Sequence, residues 1–449
     1  MFDVETIRSL FPITAQTFSV LGKTEPVPVI YFDHGASTHP PQPVLDTYIN
    51  FLQHSYSNVH RGKHFLSQIA TDYFEHVSGD ILQFIGADAD ENTIVLTNNT
   101  TSALDVAAHI MGSVEGITLV TLLEHHSNDL PHRRRGEVVH VEILHDGTLD
   151  YADLETKLRA HKVKLVAVTG ASNVTGYMPD LTRIARLAHA HGAKILVDGA
   201  QILAHVKIDV LPNDDPGHID FLAAAGHKAY APFGSAFLFG PKNILDAAPP
   251  YIPGGGTVVF VTGDEAYFSK SPDRHQGGTP NIAGAIALSA SLKFLQSIGM
   301  ENIREHERQL TEYALAKLSA IEGVHVLGNP DPALRLGVIS FVIDDVRHDL
   351  ASVILNQEAA IATRNGCFCA QPYLQRLLSI DTNELRRRLF AGQAVDSPGA
   401  VRATFGIFNT HEEADELIRM VQLISERRWQ GNYDDMIAAS CGEVSCGSV

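Results

Sequence analysis

Phe221-Leu222-Ala223-Ala224-Ala225-Gly226-His227-Lys228 is the stretch on which the reading of the fold turns. Five apolar residues without polar alternation predict a strand buried on both faces. Such strands belong to parallel sheets covered by helices. A glycine ends the run, and a lysine follows at its mouth. A lysine there costs free energy unless it is paired or its pKa is displaced. That environment suits an amine that condenses with a carbonyl. Alone, the tripeptide is a weak signal and reads first as a structural surface lysine.

Outward from this point, further short apolar runs occupy 93–96, 118–122, 165–169, 194–197 and 236–239. Helical spacing appears between several of them, as in 181–191. The alternation predicts an α/β fold with a mostly parallel sheet. Ligands bind such sheets at the carboxyl ends of the strands. Long helical patterns fill 286–320, a strand follows at 338–343, then helices at 350–357 and 412–428. The expected domains are an N-terminal segment 1–30 packing with the small domain, a large domain 31–285, a small α+β domain 286–430 and a tail 431–449.

Three more polar patches lie at predicted strand ends. Val197-Asp198-Gly199-Ala200-Gln201 places a carboxylate where it can hold a protonated ring nitrogen, or merely cap a turn. Asn98-Asn99-Thr100-Thr101-Ser102 opens a helix with hydroxyls and free N–H groups, which makes an anion cup or a plain capping cluster. Glu124-His125-His126-Ser127-Asn128 offers an imidazole that can stack on a planar ring, or forms a structural loop.

Composition narrows the remaining classes. The chain has 449 residues, 45% of them hydrophobic, with a net charge of −18. The acidic balance argues against a broad nucleic-acid surface. Arg133–Arg135 is a short compact basic cluster and reads as a solvated turn or a local anion contact. No apolar run is long enough to span a bilayer, and the first residues lack a signal-peptide layout, so a cytoplasmic enzyme is expected. Four cysteines, Cys367, Cys369, Cys441 and Cys446, do not make a disulfide framework, and neither pair has zinc-knuckle spacing. No metal is expected.

Taken together, a phosphate cup, a stacking histidine, an aspartate and a lysine in that order resemble the class V aminotransferase superfamily of fold-type I pyridoxal-phosphate (PLP) enzymes. The match is nearest to cysteine desulfurases and selenocysteine lyases. It runs from Tyr31-Phe32-Asp33-His34-Gly35-Ala36 through Asn58-Val59-His60-Arg61-Gly62, Ala171-Ser172-Asn173-Val174-Thr175-Gly176 and Gly277-Gly278-Thr279-Pro280-Asn281 to Asn409-Thr410-His411-Glu412-Glu413. The resemblance implies these roles. Lys228 would bind PLP as a Schiff base and shuttle protons. Asp198 would pair with the ring nitrogen, and His125 would stack on the ring. Gln201 and Asn173 would lie near the phenolate and the substrate, with Asn173 among the substrate-binding residues. Thr100, Thr101 and His227 would hold the phosphate, with Thr279 reaching a neighbouring subunit in a homodimer. Arg402 would grip the substrate carboxylate, with Ala36 and His60 also near the substrate; a surface arginine is the bland alternative for Arg402.

The segment Arg364-Asn365-Gly366-Cys367-Phe368-Cys369-Ala370-Gln371-Pro372 decides the subclass. Desulfurases carry a nucleophilic cysteine in a similar stretch, and Cys369 falls on it. A thiolate there would take sulfur from L-cysteine as a persulfide and leave alanine, with a protein as the sulfur acceptor. The alternative is a buried, inert thiol. Cys367 is an extra that would close a disulfide, relay sulfur or do nothing. The triplet also resembles part of the molybdenum-cofactor sulfurases. Departures from the desulfurase pattern are Ala225 for serine, His34 for asparagine, Ser102 and Asp105 in the cup helix, and a longer insertion at 373–400. They keep other class V activities open: a C–S lyase or β-elimination enzyme, an epimerase, an aminotransferase, or a PLP-binding sulfur-transfer partner with little turnover.

Overall fold

The computed structural model describes residues 2–391, 393 and 398–441. Contacts divide the chain into a larger unit, Ser37–Ser172 with Met178–Arg304, and a smaller one, Met1–Ala36 with Asn173–Tyr177 and Glu305–Val449. Residues 31–36 and 173–177 thus group with the smaller unit, and 286–304 with the larger, unlike the expected boundaries at 31 and 286.

The larger unit is built on seven strands: β1 (Asn92–Thr97), β2 (Ile117–Thr121), β3 (Val138–Val141), β4 (Val163–Thr169), β5 (Lys194–Asp198), β6 (Phe221–Ala225) and β7 (Ala236–Pro241). Their order is β1-β7-β6-β5-β4-β2-β3. Only β7 is antiparallel to its neighbours, with Leu96 opposite Phe237 and Ala225 opposite Ala236. The others pair in parallel, with Asp198 opposite both Thr169 and Ala223. Every residue of β4 and of β6 is buried, as an unalternating apolar run requires. The core joins Leu165, Leu196, Phe221 and Leu238 to the apolar face of helix α3 (Thr100–Gly112). Each such side chain contributes roughly 1.5–3 kcal/mol by leaving water.

Around the sheet stand α1 (Gln42–His54), α2 (Phe65–Phe84), α4 (Leu181–Ala190) and α5 (Ile282–Ile298). Helix α5 begins at Asn281, whose side chain caps the Gly284 N–H at 3.0 Å. Its many buried small residues pack against α1 and α2, which is why it belongs to this unit. No single helix among the described residues is long and apolar enough to cross a membrane.

At the amino ends of β5 and β6, Asp220 is fully buried between a lysine and two histidines. Lys194 Nζ lies 2.7 Å from Oδ1, His189 Nε2 2.8 Å from Oδ2 and His218 Nε2 3.2 Å from Oδ1. The two imidazoles stack with centroids 4.2 Å apart, and their Nδ1 atoms face the carbonyls of Pro216 and Asp215. Both rings therefore turn Nε2 toward one carboxylate, forming a clasp around it. The arginines of 133–135 likewise find local anions: Arg133 pairs with Asp129 and Arg135 with Asp105.

The smaller unit holds a four-stranded antiparallel sheet in the order β8-β9-β11-β10, from β8 (Val324–Val326), β9 (Val338–Ile343), β10 (Arg364–Gly366) and β11 (Ala400–Thr404). Helices α6 (Met300–Leu318), α7 (His348–Ala359) and α8 (His411–Ser425) cover it, with Phe341, Leu355, Phe405 and Leu417 in the core. The N-terminal chain joins this unit through the backbone: Thr404 N–H donates to Phe32 O at 2.6 Å. Asn-Thr-His-Glu-Glu at 409–413 is a helix start. Thr410 and Glu413 form a capping box, and Arg8 pairs with Glu413 at 2.6 Å.

Candidate active site

The carboxyl ends of β1, β2, β5 and β6 carry the predicted residues of the larger unit. Helix α3 starts straight after β1. Asn99 caps the Ser102 N–H at 2.9 Å. Thr100 Oγ1 is buried and has no hydrogen-bond partner. A buried hydroxyl left unsatisfied at a helix N-terminus fits an anionic oxygen. Thr101 shares a 2.7 Å hydrogen bond with Ser127 Oγ. Ser127 N–H in turn donates to His125 Nδ1 at 3.1 Å, so the neutral ring carries its proton on Nε2. The cup and the expected stacking imidazole are thus one connected network.

Asp198 ends β5 and is buried, with Oδ1 accepting from Ala200 N–H at 3.0 Å. Burial pushes its carboxyl up, against that hydrogen bond and the charge of Lys228. A cationic ring N–H would relieve that burial cost. The glycine after it is enforced: a Cβ on Gly199 would stand 2.7 Å from Leu222 Cδ1. Gln201 is buried two residues further on.

Lys228 is half-buried in the short 3₁₀ turn Gly226–Lys228 that closes β6. Thr38 holds this turn. Its N–H donates to His227 O at 2.7 Å, and its hydroxyl accepts from Tyr230 N–H at 2.6 Å. His227 stacks on Phe233 at 5.7 Å, and burial plus the Lys228 charge pull its pKa down to about 4. It is a neutral donor at neutral pH.

Two groups here escaped the sequence reading. Thr38 lies 190 residues from the turn it fixes, and no local signal marks it. Glu124 belongs to the 124–128 patch, where the histidines carry the stronger chemical signal. Its carboxyl is buried and pushed up to about 8, first by that burial and further by Asp198. Donors from Thr121, Asn128 and Thr169 oppose the shift. A carboxyl immediately after a buried strand was the available signal. Ala225 is fully buried at the end of β6. Across the β6–β7 pair, Ser235 Oγ is buried without a hydrogen-bond partner, next to Gly226.

Two other predicted residues of this unit lie at the surface. His60 is exposed, with left-handed φ of 71°, and lines an open cavity of about 470 Å³ with Arg61, Phe74 and Gly278. Thr279 is exposed beside that same cavity wall.

In the smaller unit Arg402 sits in the central strand β11 and is buried, so it is no surface arginine. Its Nη1 donates to Asn173 O at 2.9 Å, and its Nη2 lies 3.3 Å from Asp33 Oδ1. Its Nε is buried without a hydrogen-bond partner, as is Asn173 Oδ1. The guanidinium lies over the Phe368 ring at 4.9 Å. Burial lowers its pKa and Asp33 opposes this. Gly35 is required beside it, since a Cβ there would meet Thr404 Oγ1 at 2.9 Å and Arg402 Cζ at 3.2 Å. Ala36 follows, half-buried.

Phe368 links Arg402 to the cysteines. Its carbonyl accepts from Asn173 Nδ2 at 2.7 Å, and its ring is buried. Phe368 and Cys369 both take left-handed φ, 55° and 53°, and Ala370 N–H donates to Cys367 O at 3.0 Å. This is a tight β-turn with two non-glycine left-handed residues, at about 1–2 kcal/mol each. Asn173 and Arg402 hold the turn against that cost. Cys369 is exposed, Cys367 half-buried, and both are free thiols. Cys369 is therefore not a buried thiol. The insertion begins with the helix Gln371–Leu377, pinned by Tyr373 OH to Thr175 Oγ1 at 3.0 Å. Residues 392 and 394–397 of it, and Cys446, lie outside the described residues.

The sheet order, its one antiparallel strand and the antiparallel smaller unit define a fold-type I enzyme. More narrowly, the chain belongs to the class V aminotransferase family, whose sequence pattern (Aminotransferase class-V) matches residues 30–417. A "Cysteine desulfurase" of Escherichia coli O127:H6 is 34% identical over 434 residues, 94% of this chain and 98% of that protein. A "Probable cysteine desulfurase" of Mycolicibacterium paratuberculosis is 35% identical over 435 residues, 95% of this chain. It is longer, and the chain spans 59% of its length. The apo cysteine desulfurase of Thermococcus onnurineus NA1 superposes with a TM-score of 0.82 at 30% identity, covering 94% of this chain and 98% of that one.

Proposed function

We propose that the protein is a PLP-dependent cysteine desulfurase, converting L-cysteine to alanine and leaving the sulfur as a persulfide on Cys369. The observation that carries this choice is the exposed Cys369 thiol on a turn clamped by Asn173 and Arg402. An aminotransferase or epimerase has no need of a nucleophilic sulfur held at such backbone cost.

The residues of the larger unit fit the cofactor. The unsatisfied Thr100 hydroxyl, Thr101, His227 and the N–H groups of α3 suit its phosphate. Asp198 suits the pyridine N–H, His125 the ring face and Gln201 the phenolate; Asn173, of the smaller unit, is assigned to the phenolate by the family resemblance alone. When bound, PLP supplies an aldehyde that condenses with amines and a ring that accepts the electron pair of a broken Cα–H bond.

The chain's own residues supply the rest. Lys228 would hold the cofactor's aldehyde carbon through Nζ and, as an amine, would take the substrate's Cα proton and give it back. Asp198 keeps the ring nitrogen protonated. Arg402 receives the substrate carboxylate on its unsatisfied Nε and an adjacent N–H, with Ala36 and His60 also assigned to substrate binding. Asp33 keeps the guanidinium oriented. The Cys369 thiolate attacks the substrate sulfur. The Sγ–S bond forms, the S–Cβ bond breaks with its electrons on carbon, and protonation there gives alanine.

A second copy of the chain fits this reading. Ile49, Leu52, Ile69 and Tyr73 on α1 and α2, with Phe260 and Tyr267 of a β-hairpin, are exposed apolar side chains of the kind a homodimer covers. Thr279 would then serve the neighbouring subunit's phosphate. Free thiols two residues apart suit a reducing cytoplasm. The acceptor of the persulfide sulfur would be a protein thiol.

The test is Cys369→Ser in the PLP-loaded protein. Absorbance of the lysine-bound cofactor should persist while alanine formation from L-cysteine falls at least a hundredfold. Undiminished alanine formation would remove Cys369 from the reaction.

A further inference from the structure

Cys367 is a second thiol on the same turn, and the desulfurase reaction does not use it. It is half-buried, two residues before the exposed Cys369, and both are free. The turn between them is not loose. Ala370 N–H closes it on Cys367 O at 3.0 Å. Asn173 Nδ2 holds the Phe368 carbonyl at 2.7 Å, and Arg402 covers the Phe368 ring at 4.9 Å. Consecutive Cα atoms about 3.8 Å apart, folded back by left-handed φ, leave the two cysteine Cα atoms roughly 5.5 Å apart, inside the span a disulfide bridges. The backbone thus holds Cys367, the thiol nearest in the chain to Cys369, within the Cα separation that a disulfide spans.

We propose that Cys367 is a resolving thiol, which discharges the Cys369 persulfide as free sulfide. The inference rests on the desulfurase reading for the origin of that persulfide. The Cys367 thiol gives its proton to solvent, and its thiolate attacks Cys369 Sγ. The Cys367–Cys369 S–S bond forms. The bond from Cys369 Sγ to the terminal sulfur breaks, and its electron pair leaves as hydrosulfide. Two cysteine sulfurs are oxidised to a disulfide and one sulfane sulfur is reduced to sulfide, so no external oxidant enters. Attack falls on the inner sulfur because hydrosulfide, the base of a stronger acid than a cysteine thiol, is the better leaving group. A disulfide closed over a single residue departs from relaxed geometry and is readily reduced, so a dithiol reductant returns the pair to thiols. Without reductant the enzyme therefore releases one sulfide and stops. With an acceptor thiol in excess, acceptor and Cys367 compete for the same persulfide.

The test uses reduced, PLP-loaded protein, freed of reductant and kept anaerobic, given one equivalent of L-cysteine. Alanine, sulfide and the mass of the tryptic peptide 365–376 are read together. The expected wild-type result is alanine and sulfide in equal amounts, with the peptide two hydrogens lighter. Cys367→Ser should form the same alanine, release at least tenfold less sulfide and hold a peptide one sulfur atom heavier. A wild-type peptide that keeps the extra sulfur, or a Cys367→Ser protein that releases sulfide as fast, overturns the proposal. A parallel arm supplies Cys369 with sulfur from a small-molecule persulfide donor, without L-cysteine. Pair closure and sulfide release there, in wild type but not in Cys367→Ser, support the resolving thiol even if no alanine forms in the first arm. Alanine with a stable wild-type persulfide sinks the resolving thiol and leaves the desulfurase reading intact.

Discussion

Replacing Asp33 by asparagine tests what holds the buried Arg402; Asp33 Oδ2 also lies 3.6 Å from the exposed Arg364, a pair worth little. The Arg402 side chain is 3% exposed and Asp33 16%, with their nearest atoms 3.3 Å apart. Removing one partner of a buried ion pair costs about 3–5 kcal/mol, because the remaining charge stays desolvated. Here the amide oxygen of asparagine can still accept a hydrogen bond. Arg402 also keeps the Asn173 carbonyl at 2.9 Å and the Phe368 ring. Those contacts place the loss at the lower end, about 2–3 kcal/mol. At about 2.1 cal/mol/K of unfolding entropy per residue, a chain of 449 residues has roughly 0.9 kcal/mol/K in all, so Tm should fall by roughly 3 °C. The assay is calorimetry of the PLP-loaded protein with and without L-alanine. The carboxylate of that ligand offers Arg402 a new counter-charge, so Asp33→Asn should gain more from it than wild type does. A variant within about 0.5 kcal/mol of wild type, unresponsive to L-alanine, would refute a charged Arg402 dependent on Asp33.

Three further outcomes follow from contacts outside that pair. Thr100→Val removes the unsatisfied buried hydroxyl at the start of α3. Retention of PLP should weaken by about five- to thirtyfold, equivalent to 1–2 kcal/mol, with little change in unfolding of the cofactor-free protein; spectrophotometric titration with PLP decides this. The Asp220 clasp should give stability a pH window. Asp220 raises the His218 pKa, so that contribution is complete below about pH 6.5 and is lost as pH rises through the raised value. Asp220 is itself held low because His189, His218 and Lys194 outweigh its burial; its contribution is present above about pH 4 and lost on acidification through the lowered value. Asp220→Asn should flatten both limbs in denaturant titrations across pH, and unchanged slopes would dismiss the clasp. Glu358→Gln should loosen the segment after α8, since one carboxylate oxygen accepts from Gln430 N–H at 2.8 Å, Gly431 N–H at 3.1 Å and Tyr433 OH at 2.8 Å. Hydrogen exchange at Gln430 and Gly431 should quicken at least tenfold, and unaltered protection would show that other contacts hold this segment.

How far the sequence was legible depends on whether the signal was local. The run Phe221–Ala225 is buried on both faces, so its composition alone announces a central strand. Strand β3 was missed because it is half-buried at the sheet edge, and His140 interrupts its apolar pattern. Helix α2 hid its period because Phe65, Leu66, Ile69 and Tyr73 are apolar yet exposed. The grouping of 31–36 with the smaller unit rests on backbone pairing of Phe32 with Thr404, and no local pattern reports a partner so distant. The same holds for the site. Asp198, Thr100 and Lys228 stood out because polar groups at the ends of apolar runs are conspicuous. Thr38 and Asp33 act on residues far along the chain, and their neighbours in sequence explain nothing about them. The Cys367–Cys369 pair was visible as letters, but its meaning required the left-handed turn and the clamp on Phe368.

The central claim, that sulfur leaves L-cysteine for a protein thiol instead of by elimination, is tested most directly by the carbon product of one turnover. PLP-loaded protein mixed with one equivalent of L-cysteine should yield alanine, with no pyruvate and no ammonia. Pyruvate and ammonia in place of alanine would contradict it and make the enzyme a β-eliminating C–S lyase in which Cys369 has no part.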